Sequence, residues 1–269
     1  MEHRPSAGPG AMVAVAQARS SGASVATLAL AAAWPRPVLV AEVDPAGGDI
    51  ATRFALSANA GILGLAACGA AVDADRITEH LQSADGVAVL VGPPGSDQAE
   101  AALGGLWTSL PAVLARLPGC DVLADCGRLG PASPVVRHVV PHAGVVALVT
   151  RADREGFVRL HHALARSPAA LVAKAVVVLV GDGRAGCRAG DFERALGVEV
   201  AGPLAEDWRA AQLIGAGRLS SRAFRSSALA RSARPVAELL AARAATRTPP
   251  HLAEAATDAA RATQPGVAR

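Results

Sequence analysis

The chain has 269 residues, a length that suits one large α/β domain or two small ones. Hydrophobic residues make up 51% and charged residues 18%, which excludes a disordered chain and permits a sizeable core. Aromatics are only 3%, with no tyrosine, so that core is built from Ala, Val and Leu. The formal net charge is +3, and Lys174 is the only lysine. A genome bias toward Arg, Ala and Gly codons accounts for this. Its chemical consequence is that no other position supplies an ammonium group.

The N-terminus, MEHRPSAGPG, is polar and rich in Pro and Gly. The apolar stretch after it is interrupted by Arg19, Ser20 and Ser21, so it does not read as a signal peptide. Met12–Ala16 is a short apolar run and a predicted buried strand. A small-residue turn follows at 19–23, then an Ala/Leu helix over Ser24–Ala33 that stops near Pro35. Val38–Val43 is a second strand, apolar throughout as parallel strands covered on both faces are. It ends in the turn-forming cluster Asp44-Pro45-Ala46-Gly47-Gly48-Asp49.

Gly61–Ala71 and Asp75–Gln82 read as short helices, Val87–Val91 as a strand, and Gln98–Leu117 as a long helix. Asp121–Asp125 and Val145–Thr150 are strands, followed by a helix over Glu155–Ser167. Ala175–Val180 and Val198–Ala201 are the last strands, and Asp207–Ile214 and Ser226–Thr246 the last helices. Alternating strands and helices with apolar strands predict a doubly wound, mostly parallel α/β sheet with helices on both faces. The expected organisation is a flexible N-terminus over 1–11, one α/β domain over 12–246 and a disordered tail over 247–269.

No run of about 20 apolar residues lacks a charge or proline, so no membrane span is expected. The tail lacks the bulky apolar face of a membrane-surface helix. Cys68, Cys120, Cys126 and Cys187 form no CxxC pair and have no His cluster beside them. Buried thiols in a reducing, cytoplasmic compartment are the expectation.

The strand–turn–helix over 13–33 has the outline of a phosphate-binding loop, in which backbone N–H groups and a helix N-terminus face an anion. The full pattern places Gly, Lys and Ser/Thr in succession. Here the three residues are Gly22, Ala23 and Ser24. Gly22 gives the tight turn. Ser24 either caps the helix or ligates Mg²⁺ through its hydroxyl. Ala23 cannot neutralise phosphate charge. Asp44 follows one apolar strand and Asp125 ends another. Either alone reads as a turn-capping aspartate; together they fall at the strand ends where doubly wound sheets bind ligands.

The segments VAVA–loop–SVATLALAAAWP, VLVAEVDPAGGD and DVLADCG, in that order, resemble the ParA/MinD family of deviant-Walker P-loop ATPases. The resemblance extends from about Met12 to Ala245, through VVALVTRADREG, VVVLVGD and GPLAEDWRAA, and is most specific in EVDPAGGD. It implies a P-loop NTPase fold that binds ATP and Mg²⁺. It assigns Gly22 to the last loop glycine, Ser24 to the Mg²⁺-ligating Ser/Thr, Asp125 to the Walker B aspartate and Asp44 to the water-positioning aspartate. Glu42 takes the first acidic position of the DxD pair.

Two departures stand out. The loop lysine is replaced by Ala23, and the signature lysine that reaches a partner's nucleotide is replaced by Ala18, with Arg19 beside it. Arg19 is a partial electrostatic substitute, though a guanidinium is not equivalent to an ammonium. Losing one charge-assisted phosphate contact costs about 1.5–3 kcal/mol, roughly ten- to a hundredfold in affinity. Weakened ATP binding and slow or absent hydrolysis are therefore expected.

Two functions remain open at this level. One is a positioning or partition-type switch acting through a homodimer. The other is a pseudo-ATPase scaffold that keeps the fold and recruits a partner. The segment Arg218–Arg269 holds nine Arg against Glu238, Glu254 and Asp258. It is either a solvated helix face or a surface for DNA or an acidic partner. His161 and His162 lack metal-ligand spacing, Cys126 lacks a recognisable base, and Trp34, Trp107 and Trp208 are too dispersed for a stacking platform.

Overall fold

Uncharged runs of Val, Leu and Ala gain most when both of their faces are covered, so they take the centre of the sheet. The computed structural model describes residues 10–19, 21–69, 71–130, 132–181 and 186–247. The expected flexible N-terminus, apart from residues 10 and 11, and the expected tail, apart from Arg247, lie outside them.

The strands are β1 (Met12–Gln17), β2 (Val38–Glu42), β3 (Gln82–Ala84), β4 (Val87–Leu90), β5 (Asp121–Arg128), β6 (Val145–Arg151), β7 (Ala175–Val180) and β8 (Glu199–Leu204). They form one sheet in the order β3-β4-β2-β5-β1-β6-β7-β8. All neighbours are parallel except the edge pair β3 and β4. This is the doubly wound architecture expected from the sequence.

Alternation along each strand divides the core between two faces. Met12, Ala14 and Ala16 point to one cluster and Val13 and Val15 to the other. The Val13 face is covered by α1 (Ala23–Ala32), α2 (Ile50–Arg53), α11 (Trp208–Gly215), α12 (Arg222–Arg225) and α13 (Ala228–Arg247). The Met12 face is covered by α3 (Ile62–Ala67), α4 (Ala74–Glu79), α5 (Ser96–Leu106), α6 (Leu110–Leu114), α7 (Pro134–His138), α8 (Arg154–Ala165), α9 (Ala169–Val172) and α10 (Ala189–Leu196).

Several boundaries differ from the sequence expectation. The helix over Gln98–Leu117 is two helices, because Pro111 is accommodated only in the first turn of a new one, α6. Gln82 leaves the expected helix and opens β3, where its side-chain amide bonds Ser57 and Ala60. β3 has no apolar run to announce it. Among the described residues no helix is long and apolar enough to cross a membrane. All four cysteines are free.

The chain leaves β1 toward β2 on one side of the sheet and reaches β6 on the other. The C-terminal ends of β2, β5 and β1 lie side by side at this switch point, the usual place for a ligand. The register sets Asp125 opposite both Val15 and Glu42.

Candidate functional site

The turn between β1 and α1 is built from small residues. Gly22 precedes α1 with φ 82 and ψ 38, a left-handed conformation that glycine adopts without strain. Its carbonyl accepts the Ala26 N–H at 2.8 Å and opens the helix. Gly22 offers no capping side chain. Two amides of the turn instead find the Gln17 side chain. Its Oε1 accepts from Ser21 N–H at 2.5 Å and Ala23 N–H at 3.2 Å.

Ser24 lies in the first turn of α1, half-buried, and faces Asp125. Asp125 is 1% exposed. Its Oδ1 receives the Gly127 N–H at a long 3.3 Å. Its Oδ2 has no hydrogen-bond partner, and is the only such buried side-chain nitrogen or oxygen among the described residues. Burial pushes the Asp125 pKa up to about 6; the Ser24 hydroxyl and the Gly127 amide act against this, and Asp44 and Asp49 add to it. A buried carboxylate that keeps one oxygen unpartnered and has a hydroxyl beside it is an arrangement a hard cation completes.

Asp44 sits just past β2, half-exposed, with Oδ1 accepting the Ala46 N–H at 2.8 Å in a tight turn. Its carboxyl lies over Gly127: a Cβ on that glycine would stand 1.7 Å from Asp44 Oδ2. Partial burial raises the Asp44 pKa, the Ala46 amide and the Arg128 guanidinium lower it, and Asp49 raises it further. Arg128, at the end of β5, is exposed.

Glu42 serves as a brace. Oε1 accepts from Asp49 N–H at 2.8 Å and Ile50 N–H at 3.1 Å, and Oε2 accepts from Gly92 N–H at 2.8 Å. Three backbone bonds tie the loop after β2 to the loop after β4. A Cβ on Gly48 would stand 2.0 Å from its carboxyl carbon, so glycine is required there. Burial lifts the Glu42 pKa to about 7 against the pull of these amides.

The structure thus brings Gly22, Ala23, Ser24, Asp44 and Asp125 to one end of the sheet. Arg19 stands apart. It is exposed and lines a cleft of about 290 Å³ with Ala18, Leu129, Arg159 and Arg166. A second cleft of about 300 Å³ opens on the other side of the loop, lined by Gly22, Val25, Arg151, Glu206 and Trp208 among others. Arg151 bridges Glu206 at 2.8 Å there, and Trp208 is 63% exposed. Sequence reasoning missed Gln17, Arg128 and the bracing role of Glu42. The signal for Arg128 was its place three residues after Asp125, obscured because the strand was expected to end at the aspartate. Cys126 is fully buried, and burial holds its thiol well above the ordinary range, so it is no nucleophile.

No family model matches the chain. No curated protein matches it either. Solved structures do. A ParA family ATPase from Chlorobium tepidum superposes with a TM-score of 0.69 at 13% identity, covering 86% of this chain and 98% of that one. The chain has the ParA/MinD fold. The cell division ATPase MinD of Pyrococcus furiosus matches at TM-score 0.63 and 16% identity, over 85% of this chain and 97% of its own. The septum site-determining protein MinD of Pyrococcus horikoshii, complexed with Mg-ADP, matches at 0.62 and 16%, over 85% and 94%. At such identities the ParA/MinD likeness concerns the fold.

Proposed function

We propose that the chain is a ParA/MinD-type nucleotide-binding protein that acts as a positioning or partitioning switch, with weakened ATP hydrolysis. The observation that carries this reading is the buried Asp125 carboxylate beside Ser24, with its Oδ2 unpartnered. In the Pyrococcus horikoshii neighbour the same fold holds Mg-ADP.

Ser24 and Asp125 would hold Mg²⁺, with nucleotide phosphates and water completing its shell. The ion would neutralise charge on the phosphates. The turn amides around Gly22 and Ala23 receive phosphate oxygens at the N-terminus of α1. Asp44 orients a water molecule beside Gly127. Arg128 supplies the positive charge that Ala23 and Ala18 do not. The cleft beside Trp208 takes the base. Removing either Ser24 or Asp125 is expected to weaken Mg·ATP binding at least tenfold, as read by calorimetric titration.

The pseudo-ATPase scaffold is the competing reading, favoured by Ala23. Slow turnover that disappears in Asp44→Ala separates the two. A partner surface is supported by residues 208–237, a stretch with no acidic residue in its sequence, where six arginines (Arg209, Arg218, Arg222, Arg225, Arg231 and Arg234) face solvent and Asp85 is the acid packed against them at Ser220. DNA or an acidic protein is its natural partner, and a homodimer is the assembly that would couple this surface to nucleotide.

A further inference from the structure

A helix N-terminus normally presents unpaired N–H groups to a capping side chain, water or an anion. In this chain two amides of the turn leading into α1, those of Ser21 and Ala23, are already engaged. Gln17 ends β1 at a point where the pairing with β5 shifts register after Val15. Its Oε1 receives both the Ser21 and the Ala23 N–H groups, at 2.5 and 3.2 Å. Two donors converging on one atom require an acceptor, so the carbonyl oxygen and not the amide nitrogen points into the turn.

The geometry points to Gln17 as a built-in stand-in for phosphate, a neutral plug whose carbonyl oxygen fills the anion cradle and sets the affinity a ligand must exceed. This inference rests on the nucleotide reading above. A lysine in the loop would leave the cradle strongly positive when empty. With Ala23 in its place, a neutral carbonyl suffices to satisfy the amides. A phosphate enters only when the Gln17 side chain swings out, so the apparent affinity is lowered by the fraction of molecules that remain plugged. The unpartnered Oδ2 of buried Asp125, whose carboxyl lies beside Ser24 of the same turn, is an independent polar group that a ligand would satisfy.

The test compares wild type with Gln17→Ala and Gln17→Glu, titrated with Mg·ATP and with magnesium pyrophosphate. Alanine opens the cradle and is expected to tighten binding about tenfold, the gain from a site nine-tenths plugged. Glutamate holds the same amides by charge-assisted bonds and repels phosphate, so binding weakens at least as much. A purely structural role for Gln17 makes both variants weaker. Binding by wild type with an equal or weaker alanine variant overturns the plug and leaves the nucleotide reading intact. No binding of either probe by any of the three proteins overturns both. If the alanine variant does not fold, Gln17→Ser, too short to reach the amides, takes its place with the same expectation.

Discussion

Asp125 and Glu42 are carboxyl groups whose charged form burial disfavours. Folding raises Asp125 from 3.8 to about 6 and Glu42 from 4.5 to about 7. The native state therefore holds these protons more tightly than the unfolded chain. Between pH 4 and 7 stability falls as pH rises, and the loss is complete above the folded values. For Asp125 the shift corresponds to at most about 3 kcal/mol. Asp125→Asn should raise the melting temperature of the nucleotide-free protein at pH 8, flatten its pH dependence and abolish stabilisation by Mg·ATP. A lower melting temperature at pH 8 would mean that the carboxylate is structurally satisfied. Arg128 faces Asp44 but is exposed, so solvent screens it. Arg128→Ala should weaken Mg·ATP binding about fivefold, roughly 1 kcal/mol, as read by calorimetry.

At the scale of elements, the strands were the most legible because their Val, Leu and Ala runs have no other stable place than a covered sheet. The short helices were less so: α10, AGDFERAL, has few apolar residues and was not predicted, although Phe192 anchors it fully buried. Asp44 and Asp125 were readable because each closes an apolar run, and Ser24 because it follows the turn after one; such ends converge. Gln17 was not, since only three-dimensional closure of the turn shows which amides its carbonyl meets. The turns themselves make a prediction. Gly22 and Gly127 both have positive φ, yet a Cβ at Gly22 meets nothing within 4 Å, while one at Gly127 would strike the Asp44 carboxylate. Gly22→Ala should cost about 1–2 kcal/mol from backbone strain alone. Gly127→Ala should cost about 1–3 kcal/mol more and displace Asp44. Urea unfolding of the two variants checks the order, and equal losses would contradict the packing of Asp44 on Gly127.

For the whole molecule, a sheet with its switch point at β1, β2 and β5 gathers the candidate site, while the segment from α11 into α13 carries six exposed arginines. If that surface binds DNA, affinity for a duplex falls steeply with salt, and Arg222→Glu with Arg225→Glu should reduce the slope of log K against log salt by about 2. An unchanged slope would move the DNA surface elsewhere. The fold class was evident in the sequence; the absence of a loop lysine left function open, because the same turn serves a working ATPase or a retired one. The most direct test is calorimetric titration of the wild-type chain with Mg·ATP, alongside Ser24→Ala and Asp125→Asn. Saturable binding that weakens at least tenfold in both variants is the predicted result. No binding at millimolar ATP, or equal affinity in all three proteins, would contradict nucleotide binding at this site.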